Sequence, residues 1–513
     1  MSNYISKKGY VVKKDNLSRD TILKLKKELM GRPIQESQYT FYNSPDLTYP
    51  LYVETKTKMY LPKIYAINKF GQAKELLNYI GTEWESDINF NGTLLPHQVE
   101  PVEVLVEELL HGCGGGILSL GTGLGKTISA LKVLSILKKK AIIVVNKISL
   151  MKQWETEIKT FLPNAKVGFI QGQKNINIGG VDIIIGMLQS LARIDYPDSY
   201  FDDIGVTCID EIHNISSKVF SKVLMKLCSK YTMGLSATPN RSDGCEYVFK
   251  WFIGDVVYKS LSERKGLPPI INTIRISSKD YVEISNLNAF TGKSQIQFTS
   301  MLSELISMEK RNRLIIEIIK HMAFQSRKIL VLSDRREHLR VLNEMLNNSK
   351  DVTFTYGLFV GGMKITDLQK SKACNVILAT YQAFGEGVNE KDLDTLILIT
   401  PKKFIGHLKN TTKNESGKLE QIVGRIFRKE HSGHNPLIID LYDNFSIYKN
   451  QFSQRKAFYK QHFTNVSWKE QKIDLDKYEN LSSITYNCIE TMKEKTNTLV
   501  QNEATLAEYC LLD

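Results

Sequence analysis

Between residues 117 and 240 short, continuously apolar runs alternate with longer amphipathic stretches. The runs are GILSL, AIIVVN, VGFIQG, VDIIIGML, VTCID and YTMGLSAT, and the stretch TISALKVLSILKKK has a helical period. Apolar strands without polar alternation, separated by helices, predict a parallel sheet covered on both faces. The pattern returns after residue 300, with RNRLIIEIIKHM and REHLRVLNEMLNN as helices and KILVLSD, NVILAT, TLILIT and PLIIDLYD as strands. Between the blocks, SLSERKGLPPIINTIRISSKD reads as a linker carrying an edge strand. The expected class is α/β, with tandem parallel-sheet domains over 91–262 and 263–465. A Tyr-rich α+β accessory segment (1–90) precedes them, and an unassigned extension (466–513) follows. Near the end of the second domain, KNQFSQRKAFYKQHFTNVSWK has two readings. Its aromatics and bases could stack on nucleobases; the favoured reading is a helix packing Phe452, Phe458, Tyr459 and Phe463 on the domain.

The charge balance narrows the partners. The 513 residues carry a net charge of +13, which favours a polyanion because clustered Lys and Arg release counterions from phosphates. Hydrophobic content of 42% and charged content of 24% are those of a globular protein. Seven scattered cysteines form no Cys-x-x-Cys pair, so a reducing intracellular compartment is expected and a zinc cluster is not. The first residues, MSNYISKKGYVVKKDN, lack the apolar core of a signal peptide, and no window reaches membrane-spanning length.

Four motifs carry candidate chemistry. LSLGTGLGKTISAL runs from a strand through Thr122, Gly123, Leu124 and Gly125 into a helix starting at Lys126 and Thr127. The general phosphate-loop pattern requires glycine where Leu120 stands, but the strand–loop–helix context is right. There the N–H groups of Gly123 to Lys126 would face a β-phosphate, Lys126 would reach the β- and γ-phosphates, and Thr127 would hold Mg²⁺. VTCIDEIH ends a strand in Asp210 and Glu211, so both acids emerge at a carboxyl edge, where open α/β sheets bind ligands. Asp210 suits the metal and Glu211 the attacking water. GLSATPNRSDG places Ser236, Ala237 and Thr238 at another strand end, suited to couple the acids to neighbouring elements. In KLEQIVGRIFRKE, Gln421, Arg425 and Arg428 lie at i, i+4 and i+7 on one face of a helix, and the two arginines suit charge on a transferring phosphoryl group.

These motifs, in this order, resemble the superfamily-2 helicases and translocases over about residues 94 to 445. The superfamily's first motif keeps Thr-Gly-x-Gly-Lys-Thr, which Thr122 to Thr127 match, so Leu120 does not count against a phosphate cradle. Finer matches are LLPHQ, in which Gln98 would read adenine; VVNKISLMKQW, similar to motif Ia with Asn146 in place of proline; and GMLQSL with Gln189, similar to motif Ib. Pro239 to Gly244, including Arg241 and Asp243, resembles the Thr-Pro-x-Arg-x-Asp-Gly run of XPB-type and UvsW-type DNA helicases. ILVLSDRREHL with Arg335 resembles motif IV, and ATYQAFGEGVNEKDL with Thr380, Glu386 and Gly387 resembles motif V. The likeness extends to poxvirus-type transcript-release DNA helicases. It implies two RecA-like domains, ATP and Mg²⁺ as cofactors, a monomer, and nucleic-acid contacts at Gln189, Arg241, Asp243, Arg335, Thr380, Glu386 and Gly387. DNA is the implied partner, in transcription or repair, with transcription machinery as a further partner. RNA with the same engine is the alternative, and a degenerate non-motor scaffold is disfavoured. A nuclease centre at Asp46, Glu54 and Lys56 is the weakest reading.

Overall fold

Both blocks of apolar runs become seven-stranded sheets in which every neighbouring pair is parallel. The computed structural model describes residues 3–33, 48–77, 80–84, 87–121, 123–172, 178–197, 199–212, 221–237, 244–260, 269–287, 294–385, 390, 392–402, 417–427, 435–463 and 466–477. These fall into two compact units, one within Met1–Glu263 and one within Arg264–Phe404 and Lys418–Asp513.

The first unit opens with β1 (Tyr4–Ser6), β2 (Gly9–Lys13), β3 (Val53–Glu54), β4 (Lys58–Leu61) and β5 (Glu75–Leu76), which form one small sheet in the order β3-β4-β2-β1-β5. Helices Arg19–Glu28 and Lys63–Phe70 accompany it, so the segment is α+β. It has no separate core: Ile5, Tyr10, Leu25 and Met59 belong to the same buried cluster as Ile117, Ile142 and Ile184 of the large sheet. The buried Lys63 ammonium also donates to the Gly114, Ser229 and Lys230 carbonyls at 3.0, 3.1 and 3.1 Å. An ammonium removed from water requires such acceptors, and these hold the segment to the sheet's amino edge.

The large sheet comprises β6 (Gly115–Leu120), β7 (Ala141–Val145), β8 (Val167–Ile170), β9 (Ile183–Met187), β10 (Val206–Asp210), β11 (Tyr231–Ser236) and β12 (Val256–Ser260), in the order β8-β9-β7-β10-β11-β6-β12. Its central strands are buried along their whole length, as their unbroken apolar sequences require. Helices α1 (Pro96–His111), α2 (Lys126–Leu137) and α3 (Ile148–Phe161) cover one face, burying Leu105, Leu131, Leu134 and Trp154 against it.

The second unit repeats the plan with β13 (Ile270–Ser277), β14 (Ile329–Ser333), β15 (Tyr356–Phe359), β16 (Val376–Thr380), β17 (Thr395–Leu398), β18 (Leu437–Asp443) and β19 (Ser467–Asp474), in the order β15-β16-β14-β17-β18-β13-β19. Numbered along the chain within each sheet, both units have the strand order 3-4-2-5-6-1-7. Helices α4 (Glu309–Phe324) and α5 (Arg336–Asn347) pack on one face, while α6 (Gly417–Val423) and α7 (Ser446–His462) pack on the other.

Two sequence expectations change here. Ile270–Ser277 is not an edge strand; it pairs with β18 on one side and β19 on the other. The edge belongs to Ser467–Asp474, inside the stretch expected as an extension. Its polar sequence SWKEQKID hides it from an apolar-run criterion and suits an edge that must resist further pairing. The aromatic stretch before it is the packed helix α7, with Phe452, Phe458 and Tyr459 buried, and Phe463 buried just beyond it.

Candidate ATP site and polar strand ends

Every site residue described in the first unit lies at the carboxyl edge of its large sheet, because parallel strands place all their C-terminal ends on one side. After β6 the chain turns through Gly123 (φ +89) and Gly125 (φ +79) into α2. Both angles are in the left-handed region that favours glycine. A Cβ on Gly125 would also lie 1.9 Å from Gln98 Nε2. The buried Gln98 amide accepts from the Leu95 N–H at 2.9 Å and donates to the Leu124 carbonyl at 3.4 Å, bracing the loop from α1. Lys126 Nζ donates to the Leu120 carbonyl at 3.3 Å, so its ammonium curls over the loop entrance. Thr127 is the second residue of α2 and half-buried.

Asp210 closes β10, separated from β6 by β11 alone. Both its carboxylate oxygens accept hydrogen bonds: Oδ2 from Trp154 Nε1 at 2.9 Å and Oδ1 from the Glu211 N–H at 3.0 Å. Burial pushes the carboxyl up to about 6 and the Glu211 charge adds to the rise; the Trp154 hydrogen bond and Lys126 hold it back. Glu211 has φ +51, a strained conformation for a side-chain-bearing residue of the kind that concentrates at functional sites. Ser236 is fully buried at the end of β11, between the acids and the loop, and Ala237 follows it.

The donor set fits Mg²⁺. Among the described residues no group of three or more His, Cys, Asp or Glu could hold a metal ion. Magnesium needs no such cage: it keeps waters and substrate phosphates and takes one or two protein oxygens, for which the Thr127 hydroxyl and the Asp210 carboxylate would be the candidates. Burial disfavours the Asp210 charge, and a dication would relieve that penalty.

The nucleic-acid candidates form a second set of strand ends. Gln189 follows β9 and donates from Nε2 to the carbonyl of Asn146, which follows the adjacent β7, at 2.9 Å. Gln189 Oε1 and Asn146 Oδ1 are buried with no partner among the described residues. In the second unit Thr380 ends β16 and Arg335 lies just past β14, and these strands are also neighbours, Thr380 being paired with Ser333. The Arg335 N–H donates to Ser333 Oγ at 3.2 Å, while its Nε is buried with no partner among the described residues.

The structure does not bring together everything the sequence grouped. The helix expected to carry Gln421, Arg425 and Arg428 changes its winding within that stretch: α6 ends at Val423 and Gly424–Phe427 is a 3₁₀ turn. Three residues per turn shift Arg425 off the stripe that an unbroken α-helix would give. Arg425 is buried in that turn, whereas Arg428 and the Gln421 side chain lie outside the described residues. So do Thr122, Thr238, Arg241, Asp243, Glu386 and Gly387, and Asp46 of the nuclease reading. Glu54, the second acid of that reading, is paired with Lys14 and Lys26, both at 2.7 Å. Sequence reasoning assigned no role to Trp154, which orients Asp210 from 56 positions away. The available signal was an indole on the buried face of an amphipathic helix, where its N–H needs an acceptor.

Residues 91–241 match the family model described as type III restriction enzyme, res subunit. A mimivirus protein named putative ATP-dependent RNA helicase L396 is 32% identical over 469 residues, 90% of this chain and 86% of its own length. African swine fever virus putative ATP-dependent RNA helicase QP509L is 25% identical over 392 residues, 72% of each chain. The crystal structure of T4 UvsW aligns over 89% of this chain and 96% of its own, at 18% identity and a TM-score of 0.33. By its 32% identity to the mimivirus helicase over 90% of its length, the chain belongs to the superfamily-2 helicases of large DNA viruses, enzymes that hydrolyse ATP.

Proposed function

We propose that the protein is an ATP-driven motor that moves along DNA by holding phosphates in sequence-independent fashion. One observation carries this reading: polar candidates stand at the ends of the second and fourth strands in both units, Asn146 and Gln189 in the first, Arg335 and Thr380 in the second. A motor that steps requires two grips of the same kind, and equivalent strand ends on a duplicated sheet supply them. In the proposed cycle Lys126 offsets phosphate charge, Glu211 orients and deprotonates the attacking water, and Arg425 and Arg428 stabilise charge on the transferring phosphoryl group. Thr127 and Asp210 would hold Mg²⁺, which when bound neutralises charge on the phosphate oxygens. Transcript release in a viral transcription system, or DNA repair, is the process that fits such a motor.

ATP hydrolysis measured with single-stranded DNA, duplex DNA and RNA tests the track. DNA should stimulate most. Stimulation by RNA alone would establish the second reading, which the printed names of the mimivirus and swine fever virus relatives favour. A grip on roughly five phosphates gives a slope of log K against log salt near about −3.5, from about −0.7 per phosphate of a single strand. A flat slope would refute phosphate tracking.

A further inference from the structure

The first unit contains a cavity of about 450 Å³ unrelated to the ATP loop. It lies at the amino-terminal edge of the large sheet, because the Lys7 ammonium in its wall donates to the carbonyl of Ile204, just before β10 begins. The ATP candidates occupy the opposite edge. Its volume is in the range of pockets that enclose small organic ligands.

The lining has two chemistries. Tyr52, Tyr196 and Phe201 supply aromatic surface, with the Tyr196 and Phe201 ring centroids 5.1 Å apart. Around them stand four lysines, Lys7, Lys8, Lys222 and Lys226, against one acid, Asp195. Lys226 Nζ is held by the Ile194 carbonyl at 2.8 Å and lies 5.8 Å from the Tyr196 ring centroid. Asp195 is fully exposed and 3.7 Å from Lys226, so it neutralises little of this charge. Burial lowers Lys7 to about 8, with Asp202 and Asp203 beside it offsetting part of that fall, so the anion would be met by the exposed lysines of the rim. Aromatic surface ringed by cations suits a flat ring carrying an anionic group.

We propose that this cavity binds a nucleotide unit, its base on Tyr52, Tyr196 and Phe201 and its phosphate at Lys8 and Lys222. The unit is either part of a single strand or a free mononucleotide. The proposal stands independently of the motor reading, because none of these residues belongs to the ATP site or the polar strand ends.

The test uses the full chain and an octanucleotide carrying 4-thiothymidine, with crosslinked peptides mapped after irradiation. Crosslinks at residue 52, 196 or 201 are expected. Thymidine monophosphate in excess abolishes them if a free nucleotide is the ligand and leaves them if a strand is; either result supports the site. Exchanging two exposed lysines, Lys8→Glu with Lys222→Glu, should weaken octanucleotide binding about tenfold and leave ATP affinity unchanged. Crosslinks confined to other residues together with unchanged affinity would overturn the proposal, as would an acidic peptide seated there with no nucleotide crosslink. DNA-stimulated ATP hydrolysis measured in parallel reports separately on the motor reading.

Discussion

The two large sheets share one strand order and differ in what stands at the ends of their first, fifth and sixth strands. In the first unit these ends carry the glycine loop with Lys126, the Asp210–Glu211 pair and Ser236. In the second unit the corresponding region is filled from within. The buried Arg311 guanidinium grips Asp443 of the sixth strand at 2.8 and 3.0 Å and donates to the Ile399 carbonyl, just past the fifth strand, at 2.8 Å. Tyr281, four residues past the first strand, donates to the same Asp443 at 2.7 Å. Deeper in the sixth strand, Asp440 is matched by Arg455, at 2.8 Å to each oxygen, and by Tyr459 at 2.9 Å. One edge thus holds an acid whose charge burial disfavours, and the other holds acids already compensated. The ends of strands two and four, by contrast, are polar in both units. A duplicated fold need not duplicate its site, because function is set by the groups at the edge and not by the strand order.

The sharpest break of this comparison is catalytic. Lys126→Ala and Glu211→Gln should each lower nucleic-acid-stimulated ATP hydrolysis by roughly 10²–10³-fold. Glu211→Gln should still bind ATP, measurable by equilibrium titration, since it loses the base and not the cradle. A variant unable to bind ATP would remove the role assigned to Glu211.

Next in size is the closed edge. Asp443→Asn leaves Arg311 without its countercharge in a fully buried position. Breaking such a pair costs about 3–5 kcal/mol, so the second unit should melt early in denaturant while the first retains ATP binding.

The opposite sign is expected for Asp210→Asn. Burial holds the folded-state carboxyl above its unfolded value, a penalty on the ionised form. Removing that charge should, without nucleotide, outweigh the hydrogen bond lost and leave the variant more stable at pH 7, though inactive. The sign with pH follows: a folded-state pKa above the unfolded one contributes stability at low pH that is lost as pH rises through about 6. The wild type should therefore fall behind the variant between about pH 4 and 6, by denaturant titration. A destabilised Asp210→Asn would mean that the acid is satisfied, as in the second unit.

The smallest effect is at Trp154. Trp154→Phe keeps the ring in the core and removes the donor to Asp210, at about 1–2 kcal/mol. Its acid limb of ATP hydrolysis should move to higher pH, because the lost hydrogen bond favoured the ionised carboxyl.

Much of this was legible in the sequence. Strands buried on both faces must be apolar throughout, so most of the core strands announce themselves, and the residue that ends each apolar run is the one delivered to the carboxyl edge. Gly125-Lys126-Thr127 and Asp210-Glu211 were readable for that reason, as was the family. Periodicity could not supply the pairings. Ser467–Asp474 became a strand because an edge of the second sheet was open to it, not because its residues look like one. The α-helix that carries Gln421 gives way to a 3₁₀ turn holding Arg425 after Val423, a change of winding that periodicity did not show. Trp154 on Asp210, Gln98 under Gly125 and Arg311 on Asp443 join residues distant in the chain. Local chemistry is written residue by residue, whereas contacts between distant groups exist only once packing has chosen which faces meet. That is why the sequence alone could name the acid at the end of β10 but not the indole that orients it.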